Sequence, residues 1–130
     1  MAIKISGTTV IDDNKISTPN NTAEARTAPT ISGGVLTLDL NASALFDVAL
    51  NAAITSIVIQ NAQAVGKVSS FILAFTANGT AYSVTWPASF KWPSGTAPTL
   101  TSTNTKEDVF VFYTVDAGTT WNAFISGQNL

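Results

Sequence analysis

Apolar side chains recur at every second residue in one short segment after another, and this period confines the chain to strands. Over 35–40, Leu36, Leu38 and Leu40 fall on one face while Thr37 and Asp39 fall on the other. Over 45–50, Phe46, Val48 and Leu50 point one way and Asp47 the other. Asn41 and Ser43 are turn formers between them, so the two segments read as a meander or hairpin. Phe71, Leu73 and Phe75 alternate within 68–76, and Ala77-Asn78-Gly79-Thr80 then carries the Asn-Gly signal for a tight hairpin into 81–86. Asp116-Ala117-Gly118-Thr119 likewise joins strands expected over 109–115 and 120–126. The segment 54–60 is nearly continuous in aliphatics, as in a strand covered on both faces or one facing another chain. The only helix-like window, 51–53, is too short to form a helix. About six or seven strands at short spacing predict an all-β, sandwich or jelly-roll-like domain.

The chain changes character at Gly33. Residues 1–32 are polar and poor in aromatics, with an Ile3-Lys4-Ile5 alternation, a Val10-Ile11 pair and the turn-forming Asp12-Asp13-Asn14. The stretch 17–30, with Pro19, Asn20, Asn21 and Pro29, has no apolar period and reads as a linker. We therefore expect an extended N-terminal arm over 1–32 and a β-sandwich domain over 33–130. Ile3, Ile5, Val10 and Ile11 are the arm's candidate partner-binding residues, because alternating aliphatics suit strand addition at a sheet edge. The Met-Ala-Ile-Lys start lacks the apolar stretch of a signal peptide, which predicts a protein made in a cytoplasm. No apolar run approaches the length of a membrane span.

Composition narrows the function. The chain has no His and no Cys, which removes imidazole bases, thiolate nucleophiles, disulfides and zinc sites with nitrogen or sulfur ligands. The eight carboxylates are Asp12, Asp13, Glu24, Asp39, Asp47, Glu107, Asp108 and Asp116. Asp12, Asp13 and Asp116 sit in turn sequences and Asp39 and Asp47 on solvent faces, which is not the facing arrangement a glycosidase needs, and no run matches a calcium loop. No catalytic, cofactor or metal residue is expected. The six basic residues are scattered singly, which argues against nucleic acid. Charged residues make up only 11% of the chain, less than half of the about 25% usual in soluble domains, and so neutral a surface favours association. Ile54, Ile57, Val58 and Ile59 are the candidate oligomer interface. In the alternative of sugar recognition, Trp86, Trp92 and Trp121 would stack against sugar rings, with Tyr82 and Tyr113 beside them.

The series Gly34-Val35-Leu36-Thr37-Leu38-Asp39-Leu40, Phe46-Asp47-Val48, Val84-Thr85-Trp86-Pro87, Lys91-Trp92-Pro93-Ser94-Gly95-Thr96-Ala97-Pro98, Asp108-Val109-Phe110 and Asp116-Ala117-Gly118-Thr119-Thr120-Trp121 resembles a β domain of bacteriophage tail-fibre and head-decoration proteins, including those of cyanophages. The likeness covers 33–130, and 5–13 is similar to an N-terminal tag of structural proteins in the same phages. Members of the family often carry Gly-Gly where this chain has Ala117-Gly118. The resemblance implies a trimeric virion structural protein with no cofactor and no reaction. A domain that is nearly the whole chain suits a capsid decoration or cement subunit bound to the major capsid protein or another virion protein. The alternative is a tail-fibre or tail-tip module that binds host surface glycan.

Overall fold

The structure, a computed structural model, describes residues 3–5, 8–11 and 25–130, the first two segments by their backbone. β1 (Ile3–Ile5) and β2 (Thr8–Ile11) pair antiparallel, with Ile3 opposite Ile11 and Ile5 opposite Thr8. The arm therefore begins as a hairpin rather than as a single extended strand. Ser6-Gly7, a turn-forming dipeptide, lies between the two strands in the sequence. Residues 12–24, with Asp12, Asp13, Glu24 and the first part of the expected linker 17–30, and the side-chain contacts expected of Ile3, Ile5, Val10 and Ile11 lie outside the described residues.

The fold is all-β. β4 (Val35–Asp39) lies beside β6 (Ser56–Gln60) in a two-stranded parallel sheet. β3 (Arg26–Thr27), β5 (Leu45–Leu50), β7 (Ser69–Ala77), β9 (Glu107–Thr114), β10 (Trp121–Gly127) and β8 (Phe90–Lys91) form, in that spatial order, a six-stranded mixed sheet. Among the described residues, the short 3-10 turn Pro93–Gly95 is the only helical element.

From β4 to β7 the chain changes sheet at every step, so it winds as a coil. Val35 comes to lie opposite Ser56, and Leu45 opposite Ile72, one turn later and in parallel register. A parallel bridge between Ile54 and Val84 carries the winding further, with the Ile54 N–H donating to the Ser83 carbonyl at 3.0 Å and the Thr85 N–H to the Ile54 carbonyl at 2.8 Å. The coil then stops, because β9 runs antiparallel to β7 and β10 antiparallel to β9. Neither sheet closes, and the parallel pairs depart from the antiparallel order of a jelly roll.

Apolar side chains from both sheets meet between them. Leu36, Leu38 and Ile57 of the small sheet share one buried cluster with Phe46, Val48, Leu50, Phe71, Leu73, Phe75, Phe110 and Phe112 of the large one. Phe71 stacks on Phe112 at 4.7 Å and takes the edge of Trp121 at 5.1 Å. Trp86 packs edge-on against Trp92 at 4.9 Å and Trp92 against Phe110 at 5.7 Å, closing one end of the core. Each such ring, fully buried, contributes roughly 2–3 kcal/mol of transfer free energy.

Gly33-Gly34 forms a tight turn: Ser32 and Val35 exchange backbone hydrogen bonds of 3.0 and 2.9 Å across it. Gly33 and Gly34 have φ of +58° and +79°, the left-handed values that a two-residue hairpin requires. Ahead of that turn, Arg26–Thr27 joins the large sheet, with Arg26 opposite Leu45. Two expectations are corrected. β4 and β5 are not a hairpin, since they lie in different sheets and face each other across the core. Secondly, Asn78-Gly79 does not return a strand along β7. Asn78 Oδ1 instead accepts from the Thr80 N–H at 3.0 Å, and 81–86 forms no strand but crosses to the chain before β6, where Val84 bridges Ile54.

Candidate functional site

Strand alternation that buries one face of the large sheet presents the other. On β7, Phe71, Leu73 and Phe75 point into the core, and Ser70, Ile72 and Thr76 point out. On β9 the inward residues are Phe110 and Phe112, and the outward ones are Val109, Val111 and Tyr113. Register then aligns the outward residues across strands: Leu45 is opposite Ile72, Ile72 opposite Val111, and Val111 opposite Phe124. The result is a continuous apolar row over β5, β7, β9 and β10. Ile72 is 39% and Phe124 46% exposed, and Tyr113, one pleat along, stacks on Phe124 at 6.0 Å with the rings 12° apart.

Two grooves flank this row. One of about 240 Å³ is lined by Ala44, Ser70, Phe71, Ile72 and Val111. Its rim is fixed where the Ile72 N–H donates to the Ala44 carbonyl at 2.8 Å. The other, of about 350 Å³, lies where β3 ends and the chain turns off at Pro29, exposing Asp47 and Ala49 of β5 and Thr76 of β7. Arg26 closes on Asp47 at 2.7 Å, which neutralises the charge at that edge.

Among the described residues, Asp39, Asp108 and Asp116 serve the fold. Asp39 Oδ1 accepts from the Asn61 amide at 2.6 Å and the Asn41 N–H at 2.9 Å. These bonds, the Asn61 one foremost, hold its carboxyl below the usual range. Asp116 Oδ1 accepts from the Thr120 N–H at 2.8 Å and the Thr114 hydroxyl at 2.7 Å, ordering the β9–β10 loop, and its pKa is lowered for those reasons. Asp108 is 1% exposed. Burial there works to raise its pKa, but the N–H groups of Thr101 at 2.6 Å and Asn129 at 3.0 Å, with the Gln128 amide at 3.2 Å, outweigh it and leave the carboxyl lowered. The Gln128 amide also reaches the Thr99 carbonyl at 2.8 Å, so Asp108 pins the C-terminal residues and the 99–101 loop to the sheet. Among the described residues, no three of His, Cys, Asp or Glu are grouped to hold a metal ion.

The sequence candidates fall elsewhere. Ile54 and Ile57 are buried in the chain's own core, Ile59 packs partly against it, and Val58 alone faces out. The aliphatic run thus supplies β6 and the bridge before it, with Val58 at its outward position. On that outer face Val58 lies opposite Thr37, with Ser56, Asp39 and Gln60 around it. Trp92 and Trp121 are buried, and Trp86 is partly so, its Nε1 donating to the Pro98 carbonyl at 3.0 Å. These rings close the core instead of presenting faces to a sugar. The row Leu45, Ile72, Val111 and Phe124 went unnoticed because its members are spread over 45–124 and meet only through strand register. Its one signal in the sequence is Ile72, Val111 and Phe124 standing at the outward positions of otherwise alternating strands. No protein-family model, no curated protein and no solved structure matches the chain.

Proposed function

We propose that this chain is a non-enzymatic structural subunit of a bacteriophage particle, a decoration or cement protein that stabilises the head shell as a homotrimer seated on the major capsid protein. The observation that carries this reading is the apolar row on the outer face of the large sheet, in a chain with only six basic and eight acidic residues to cover its surface. A solvated monomer gains nothing from such a face, whereas an assembled subunit buries it. The sequence likeness to phage structural domains supports the same reading. Two sheets sharing one core, in an all-β chain, are compatible with the sandwich that likeness implies. Structural use of Asp39, Asp47, Asp108 and Asp116 fits a protein without a reaction. The glycan-binding tail module loses its motive once Trp92 and Trp121 are in the core.

The test is mass spectrometry of density-purified particles, followed by a cryo-electron map. The chain is expected in numbers comparable to the shell protein, with its density on the outside of the head. Absence from the particles overturns the reading, and a handful of copies moves the chain to the tail.

A further inference from the structure

The outer face of the six-stranded sheet carries both halves of a contact. Phe124 stands out from β10 with nearly half of its surface in water, 46%, and Tyr113 stacked against it fixes its direction. In the same cross-strand row, Ile72 and Val111 line the groove of about 240 Å³ with Ala44, Ser70 and Phe71. β9 lies between β10 and β7, so Phe124 stands beside Val111 on the near rim of the groove and across β9 from Ile72, all at one height. Phe124 and Ile72, on the far side of the groove, lie about 10 Å apart, two strand spacings.

We propose that Phe124 of one copy of this chain seats in the Ala44–Val111 groove of another, which makes this face the surface of self-association. The proposal rests on the structural-subunit reading above and names the surface that reading needs. A second copy is the occupant because it supplies the complementary shape from the same face. In a ring of copies with their faces towards the axis, every knob meets a groove and none is left over. Charge points the same way. The ion pair at this edge, Arg26 with Asp47, is satisfied within the chain, and Glu107 is the one other charged residue at the outward positions of β5, β7, β9 and β10, too little charge for a nucleic acid or a strongly charged peptide to match.

Light scattering on the full chain, with Phe124→Lys and Phe124→Leu beside wild type, tests this. Wild type is expected to associate at micromolar concentration, Phe124→Lys to weaken association about a hundredfold or more, and Phe124→Leu to weaken it less. The tryptophan near-ultraviolet spectrum of each variant should match wild type, since Phe124 lies outside the core. The absence of cysteine permits a second arm. In the double variant Phe124→Cys with Ile72→Cys the two thiols are too far apart to bridge within a chain, and oxidation should yield disulfide-linked oligomers on a non-reducing gel. If Phe124→Lys associates as strongly as wild type, or the double variant oxidises without linking chains, the contact lies elsewhere and this inference falls while the structural-subunit reading stands. A monomeric wild type overturns the inference as well, and the particle measurement then decides the wider reading by itself.

Discussion

Asp108→Asn is the substitution whose effect follows most directly from the structure. The carboxylate is buried and accepts from the Thr101 and Asn129 N–H groups and from the Gln128 amide. Asparagine keeps the shape and one acceptor. Its amide N–H2 must then face at least one of these donors, donor against donor. Hydrogen bonds to a charged acceptor contribute about 1.5–3 kcal/mol each, and a buried donor left without a partner costs about 1–3 kcal/mol. Part of this is offset because a neutral amide is cheaper to bury than an ion. The expected loss is about 2–4 kcal/mol at neutral pH, or roughly 10 °C in Tm for a domain of this size. Urea unfolding at a series of pH values is the assay. Because the folded-state pKa of Asp108 lies below its ordinary value, its stabilising contribution is fully present above the unfolded carboxylate pKa, near 3.9, and is lost as pH falls through the folded value. The gap between wild type and variant should therefore be constant near neutrality and shrink in acid. A loss below about 0.5 kcal/mol at pH 7, within the range of ordinary surface substitutions, or a gap that widens in acid, would refute the account.

Two turns supply further predictions. Gly34→Ala places a Cβ 2.7 Å from Thr55 Oγ1 at a φ of +79° and should destabilise by about 1–3 kcal/mol, whereas Gly33→Ala, with nothing within 4 Å at φ +58°, should cost only about 1 kcal/mol of backbone strain. Equal losses in thermal melts would remove the close approach as a factor. Ala117→Gly should stabilise by about 0.5–1 kcal/mol, since Ala117 holds a φ of +57° that glycine adopts without a Cβ clash, less the entropy glycine adds to the unfolded chain. A lower denaturation midpoint would contradict this.

The period-two pattern places most of the long strands, because it reports which side chains are buried, but not 81–86, which holds only the bridge at Val84. Expected 45–50 is β5, 68–76 is β7 within one residue at each end, and the Asp116-Ala117-Gly118-Thr119 loop does join two antiparallel strands. Partners were another matter. Leu36 and Leu38 need a cover, and Phe46 and Val48 need one too, but alternation is identical whether two strands lie side by side or face each other across a core. The turn residues Asn41 and Ser43 fit both. Ser43, for example, spends its hydroxyl on the Ala25 carbonyl at 2.6 Å and the Leu45 N–H at 3.0 Å, tying β3 to the start of β5. Asn78-Gly79 misled for the same reason: it specifies a local reversal, and the reversal leads to the other sheet.

The site was harder to see, for a reason particular to a coiled chain. In a hairpin, residues that share a face are neighbours in the sequence, so an apolar outer patch shows up as a local excess of apolar residues. Here β5 and β7 are a full turn apart, as Leu45 and Ile72 are, β9 is as far again from β7, only β9 and β10 form a hairpin, and each strand gives the outer row a single member. Each of these residues by itself looks like an ordinary exposed aliphatic or aromatic side chain. The segment 54–60 drew attention because its aliphatics are contiguous, yet contiguity there arises from Ile54 bridging to Val84 and Ile57 entering the core. Density along the chain thus reported burial within the fold. The surface available to a partner is set by register, and register is fixed by pairings between residues as distant as Leu45 with Ile72 and Ile72 with Val111.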